Sequence, residues 1–382
     1  MSLLAIPGKS GDELGVAKFI RKELIAAGAK PSQIQTDAAH KKTPVPGDTG
    51  NLIFHLPGTI KGPRRMLMSH MDTVPICVGC KPVRKGNLVR SADPKTGLGA
   101  DDRAGVATTL TTAIEILKND LPRPPLTFLW TIQEEIGLHG ARLVQLSKLK
   151  KPQLAFNWDG GSPTKMTIGA TGGYRMEITI HGKASHAGNA PAAGVSAIAI
   201  ASIAIADLHK NGWHGAIRKC KKLGTSNVGV FQGGAATNVV TDLVTLRAEA
   251  RSHDSVFRKK ILSEIEKAFT RAVKQVKSTS GDVGKIEFDG RLDYDSFRLP
   301  TDSDCVVSAK EAIQELGFEP ELTVTNGGLD ANWLSSRGIP CVSMGCGQRN
   351  QHMVTEQLEL TEYLTACRIA LHLATAGLSA EL

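Results

Sequence analysis

LTFLWTIQEEIGLHGAR, residues 126–142, decides the fold. An apolar strand runs straight into two adjacent carboxylates, Glu134 and Glu135. Neighbouring side chains on a strand point to opposite faces, and a charge taken out of water is costly, so a buried strand that stops at two acids needs a reason for having them at one edge. On either side the pattern alternates. NLIFHL (51–56), RMLMSH (65–70) and QLAFNW (153–158) read as strands, and DRAGVATTLTTAIEILK (102–118) and a segment from about Ala141 read as helices. Alternating strands and helices imply an α/β domain with a largely parallel sheet flanked by helices. Ser10-Gly-Asp-Glu13, ahead of Leu14, Phe19, Ile20 and Leu24, reads as a capping box that opens a first helix ending near Gly28.

Near residue 171 the pattern changes. TGGYRMEITIHG (171–182), SNVGVFQGG and NVVTDLVTLRAEARS alternate like strands exposed on one face, and 193–210 and 254–277 read as helices. An inserted α+β domain over 171–293 is expected, dividing a catalytic domain into 1–170 and 294–382. The second part resumes with a Gly-Gly loop at 327–328, the strand IPCVSMG (339–345) and a closing helix near 359–376.

The 382 residues, 41% hydrophobic, are enough for a sizeable core. No run of about 18 apolar residues suggests a membrane span, and the start lacks the regions of a signal peptide. A cytoplasmic protein is expected, although Met1-Ser2-Leu3 leaves room for an altered native start. Seven scattered cysteines, Cys77, Cys80, Cys220, Cys305, Cys341, Cys346 and Cys367, match no disulfide framework, and Cys77-Val-Gly-Cys80 has no second pair to complete a metal knuckle. The net charge of +9 favours anions, but the basic residues are dispersed and aromatics are only 4%, so nucleic acid is not an expected partner.

Residues with ligand chemistry recur at the carboxyl ends of the apolar strands: His70 and Asp72, then Glu134 and Glu135, then Asp159, with Asp101 at the start of the 102–118 helix. In open α/β sheets that edge is where ligands bind. Several carboxylates converging with a histidine cannot all stay ionised unless a cation compensates them. Mixed imidazole and carboxylate donors suit Zn²⁺, with Co²⁺ or Mn²⁺ as options, better than Ca²⁺ or Mg²⁺.

SHMDTVP (69–75), GADDRAG (99–105), QEEIG (133–137), the Asp159 of NWDGG, KASHAGNAP (183–191) and QHMVTEQLEL (351–360) resemble the motif series of the dizinc exopeptidase and deacylase family. GADDRAGVA, QEEIGLHGA and GGLDAN look closest to its peptidase T-like branch. The resemblance covers nearly the whole chain. It implies two Zn²⁺ ions bridged by Asp101, with His70 and Asp159 on one and Glu135 and His352 on the other. It further implies that Asp72 orients His70 and that Glu134 is the general base. The insert would be a lid and dimer-forming domain carrying His186 as an oxyanion contact, with Asn238 and Arg251 touching substrate or oxyanion. The expected activity is cleavage of small peptides by an aminopeptidase or tripeptidase. A carboxypeptidase or N-acyl amino acid deacylase is the alternative within the family, and a non-catalytic metal-bearing binding protein the alternative outside it. Three departures stand out: Leu329 where the family has Thr, Arg103 where it has Lys, and less helix upstream than relatives carry.

Overall fold

The computed structural model describes residues 1–219 and 221–375, which form two compact units. The first comprises Met1–Gly169, Arg298–Thr325 and the chain from Leu329; the second comprises Ala170–Phe297 with Asn326–Gly328. Cys220 and the last residue of the expected closing helix lie outside the described residues.

The first unit is built on a mixed sheet. Its strands lie in the order Ile34–Thr36, Leu52–Leu56, Leu126–Thr131, Arg65–His70, Leu154–Trp158, Cys341–Met344, Lys165–Ala170. The four from Leu126–Thr131 to Cys341–Met344 run parallel, whereas the flanking strands pair antiparallel. Every residue of Leu126–Thr131 is buried, and Phe128 packs between Phe54 and Trp130 with ring centroids 5.7 and 6.0 Å away. Helices Leu14–Ala26, Ala100–Lys118, Asp304–Glu315 and Leu360–Thr375 belong to the same unit. Strands 126–131, 65–70 and 154–158 are immediate neighbours and point the same way, so the residues that follow them emerge side by side.

A smaller sheet places a further loop. Gln348–Arg349 pairs with Gln357–Glu359, which pairs with Leu88–Ser91 and through it with Pro82–Lys85. His352 sits in the turn between the first two strands, at φ +62°. This sheet is absent from the sequence reading, and so is the strand at 165–170, although Met166, Ile168 and Ala170 alternate along it as buried residues.

Two local expectations fail. The helix expected from about Ala141 is only His139–Leu143, ended by the extended residue Val144. The capping box at Ser10–Glu13 does not form. The amide of Leu14 is taken by Asp48 Oδ1 at 3.0 Å, Glu13 supplies no side-chain cap, and Ser10 Oγ donates elsewhere.

The second unit is an antiparallel sheet in the order Gly215–Lys219, Lys222–Gly233, Leu243–Ser252, Gly172–His181, Lys285–Tyr294. Along Leu243–Ser252 the residues Val244, Leu246, Ala248 and Ala250 are buried, and those between them are not. The buried face packs with helices Ala197–Lys210 and Ser255–Gln275 around Ile178, Ile180, Ile200, Ile261 and Phe269. These helices open on real caps: Ser196 Oγ accepts from Ala199 N, and Asp254 Oδ1 from Phe257 N.

Candidate active site

His70 ends its strand almost fully buried, and its two ring nitrogens have different tasks. Nδ1 lies 3.1 Å from the backbone oxygen of Asp72 and 3.4 Å from its Oδ1, and Nε2 lies 3.2 Å from Asp101 Oδ1. The peptide oxygen of Asp72 is thus the closer partner, and the carboxylate the sequence reading emphasised is the farther one. That carboxylate is engaged by the turn after Leu126–Thr131: Glu134 N donates to Oδ1 at 3.0 Å and Glu135 N to Oδ2 at 3.2 Å.

Asp101 enters helix Ala100–Lys118 through a non-helical kink and a cis peptide to Asp102. Its carboxylate faces two imidazoles, with Oδ1 on His70 and Oδ2 3.3 Å from His352 Nε2. His352 Nε2 also lies 2.9 Å from Glu135 Oε2. Donor atoms of His70, Asp101 and Asp159 fall within 4.8 Å of one another, as do those of Asp101, Glu135 and His352. The fold therefore gathers all five residues named as ligands into two donor sets that share Asp101. Glu134, 9% exposed beside them, belongs to neither set.

The cluster is short of positive charge. Burial first, then repulsion from Asp101, pushes Asp159 up to about 8. Burial, with Asp159, Asp330 and Glu135 adding repulsion against the pull of His70, drives Glu134 well above the carboxylate range. Glu135 also rises, mainly through burial. The imidazoles respond in the opposite sense: contacts with Asp101 and Glu135 raise His352 to about 10, and Asp101 and Asp72 hold His70 high although burial opposes its charge. One histidine and two carboxylates per set, with excess negative charge around them, fit a pair of divalent cations of the kind that accept nitrogen and oxygen together.

Sequence reasoning missed the supports. Glu356, 1% exposed, accepts from Gly99 N at 2.6 Å and from Asp101 N at 3.0 Å, and Cys77 Sγ lies 3.5 Å away. Asp102 accepts from His70 N at 3.1 Å, Gly105 N at 3.1 Å and Gln348 Nε2 at 2.8 Å. Both residues stand inside the quoted motifs, and that was the only available signal. Cys77 and Cys80 are buried free thiols, raised chiefly by burial.

The remaining predicted contacts lie in the second unit. His186 is exposed, and its Nδ1 accepts from Gly188 N at 3.1 Å and Asn189 N at 3.0 Å, which leaves Nε2 to carry the proton. The backbone oxygen of Asn238 accepts from Ala187 N at 2.9 Å, so Asn238 and His186 occupy adjoining loops. Arg251 is held against Glu249 by two bonds of 2.9 and 3.0 Å.

The model of the family described as peptidase family M20/M25/M40 matches residues 66–376. The protein YqjE of Bacillus subtilis (strain 168) is 30% identical over 364 residues, 95% of this chain and 92% of its own. A tripeptidase from Staphylococcus aureus subsp. aureus mu50 superposes with a TM-score of 0.87 at 31% identity, covering 98% of this chain and 95% of that one. Aminopeptidase PepT from Bacillus cereus ATCC 10987 gives 0.85 at 29%, covering 99% and 97%. With two donor sets meeting at Asp101 on the fold these enzymes share, the chain belongs to peptidase family M20/M25/M40, close to peptidase T, and is a metal-dependent peptidase.

Proposed function

We propose that the protein is a two-zinc aminopeptidase or tripeptidase acting on small peptides, with Glu134 as its general base. The observation that carries the reading is Glu134 itself, a buried acid beside two joined donor sets and part of neither. His70 and Asp159 would hold one ion, Glu135 and His352 the other, and Asp101 both. Bound there, divalent zinc would supply Lewis-acid polarisation of the scissile carbonyl and of water.

The chain's own residues do the rest. The Glu134 carboxylate takes the proton from the attacking water and returns it to the departing nitrogen, a role open to a buried acid that stands outside both donor sets. Asp72 keeps the Glu134–Glu135 backbone in place through both amides. In the second unit, read as a lid and dimer-forming domain, the Nε2–H of His186 is a suitable donor to a developing oxyanion, and Asn238 and Arg251 are the candidates for the substrate's polar ends. No helix among the described residues is long and apolar enough to cross a membrane, and the six free thiols among those residues fit a reducing compartment such as the cytoplasm.

The test pairs metal analysis with a panel of tripeptides, N-blocked peptides and N-acyl amino acids. Free-amino tripeptides should turn over fastest, and Glu134→Gln should lose at least about 10²-fold in kcat with metal content unchanged. Equal turnover in that variant would remove Glu134 from its role, and cleavage confined to blocked substrates would overturn the aminopeptidase assignment.

A further inference from the structure

We propose that the N-terminal segment Ile6–Glu13 is a positioning arm of the active site, with Ser10 as its decisive residue. The proposal rests on the reading of Glu134 and Glu135 as base and metal ligand, and adds what fixes the turn that carries them.

That turn is held by its own backbone. Three successive amides, those of Gln133, Glu134 and Glu135, each donate to a buried carboxylate: Gln133 N to Glu13 Oε1 at 3.0 Å, and the other two to the oxygens of Asp72. Gln133 has φ +50°, so the chain leaves the strand in a conformation that side chains seldom adopt, and external bonds must define it. Both accepting carboxylates are fully buried.

Each carboxylate is in turn engaged by the arm. Ser10 Oγ donates to Asp72 Oδ2 at 2.7 Å, the shortest bond that carboxylate makes. Gly11 N donates to the same Glu13 oxygen that holds Gln133, at 2.9 Å. The arm itself is anchored to the metal-ligand loops. Arg103, 2% exposed and two residues beyond Asp101, donates from Nη2 to Gly8 O at 3.0 Å, and Thr73 N donates to the same oxygen at 3.1 Å. A Cβ on Gly8 would run into that guanidinium, so a side chain there would have to displace Arg103.

The ordinary use of a Ser-x-x-Glu segment before a helix is to cap it. Here neither side chain does so: Leu14 N goes to Asp48, and the Ser10 hydroxyl acts as a donor to an acid rather than as an acceptor from an amide. Ser10 thus acts through Asp72, which spans His70 on one side and the Glu134–Glu135 amides on the other. Without its hydroxyl, Oδ2 keeps only the longer bond to Glu135 N, and the carboxylate is free to turn, taking the base and the ligand with it.

The experiment compares Ser10→Ala, Ser10→Thr and Glu134→Gln with the parent enzyme. Kinetics are measured on the zinc-loaded enzyme, zinc affinity by chelator competition, and thermal unfolding on the metal-free protein. Ser10→Ala should lower kcat about 10–100-fold with KM within about twofold, and weaken zinc binding by about tenfold, as loss of a group that orients a ligand does. Its metal-free melting temperature should fall by a few degrees, as loss of one buried hydrogen bond to a carboxylate does, and Ser10→Thr, which keeps the hydroxyl, should recover most of the losses in kcat and zinc affinity. Unchanged kcat and zinc affinity in Ser10→Ala would overturn the proposal. So would a loss that tracks metal-free melting and is not recovered by Thr. Full turnover in Glu134→Gln would instead defeat the assignment of the base, and the zinc-affinity comparison would still decide the arm.

Discussion

At the scale of single residues, Asp72 and Asp101 depend on partners that stand far from them in the chain. His70, Asp101, Glu135, Asp159 and His352 could be named because each follows an apolar run or stands in a motif. Ser10 meets Asp72 across 62 residues and Glu356 meets Asp101 across 255, separations at which no local pattern links two positions. Glu356 makes the cost measurable. Glu356→Ala leaves the amides of Gly99 and Asp101 without their acceptor, and at about 1–3 kcal/mol for each buried orphan the protein should lose about 2–6 kcal/mol in a urea melt. His55 supplies a pH test remote from the metal donors. Its Nε2 lies 3.0 Å from Gln35 Nε2 and its Nδ1 3.3 Å from Thr127 Oγ1, an arrangement suited to the neutral ring. Burial, aided by Lys150, pushes it down to about 4. Because the unfolded chain takes up this proton first, stability should fall as pH drops from about 6.5 to 4. Urea midpoints measured across that window should decline less steeply in His55→Gln.

At the scale of elements, buried strands were read to within a residue or two, because burial leaves an apolar run that burial alone explains. The short helix His139–Leu143 was overread, since Ala141, Arg142 and Leu143 have a helical composition that the chain abandons at Val144. The apparent cap at Ser10 misled for a deeper reason: the same residue types serve a helix end or a carboxylate, and only the tertiary partner decides. Helix Ala100–Lys118 sits against the strand end that leads to Asp159, with Gly105 facing Trp158 O and the Asp102 carboxylate so closely that a Cβ has no room. Gly105→Ala should therefore cost at least about 1–3 kcal/mol by overpacking and weaken metal binding along with it, read by isothermal titration with zinc. Metal binding that survives the substitution intact would show that the helix can shift without disturbing Asp101 or Asp159.

At the scale of the whole molecule, metal and fold are one thermodynamic system. Without cations, Asp159 is raised to about 8, so its contribution is present below the ordinary carboxylate range and is lost as pH rises towards 8. Chelated protein should thus melt below zinc-loaded protein, and the gap should widen from pH 5 to pH 8. A gap that narrows over that range would contradict the electrostatics of the cluster. The interruption of the first unit between Gly169 and Arg298 has another consequence, one of timing. On the ribosome, Leu154–Trp158 emerges with one edge bare, because its partner Cys341–Met344 follows only after roughly 185 more residues, about 9–37 s of elongation. His352 arrives later still. On the ligand set proposed above, a nascent chain completes its second donor set only once His352 has been made, and the bare edge needs shelter from pairing with other chains in the meantime.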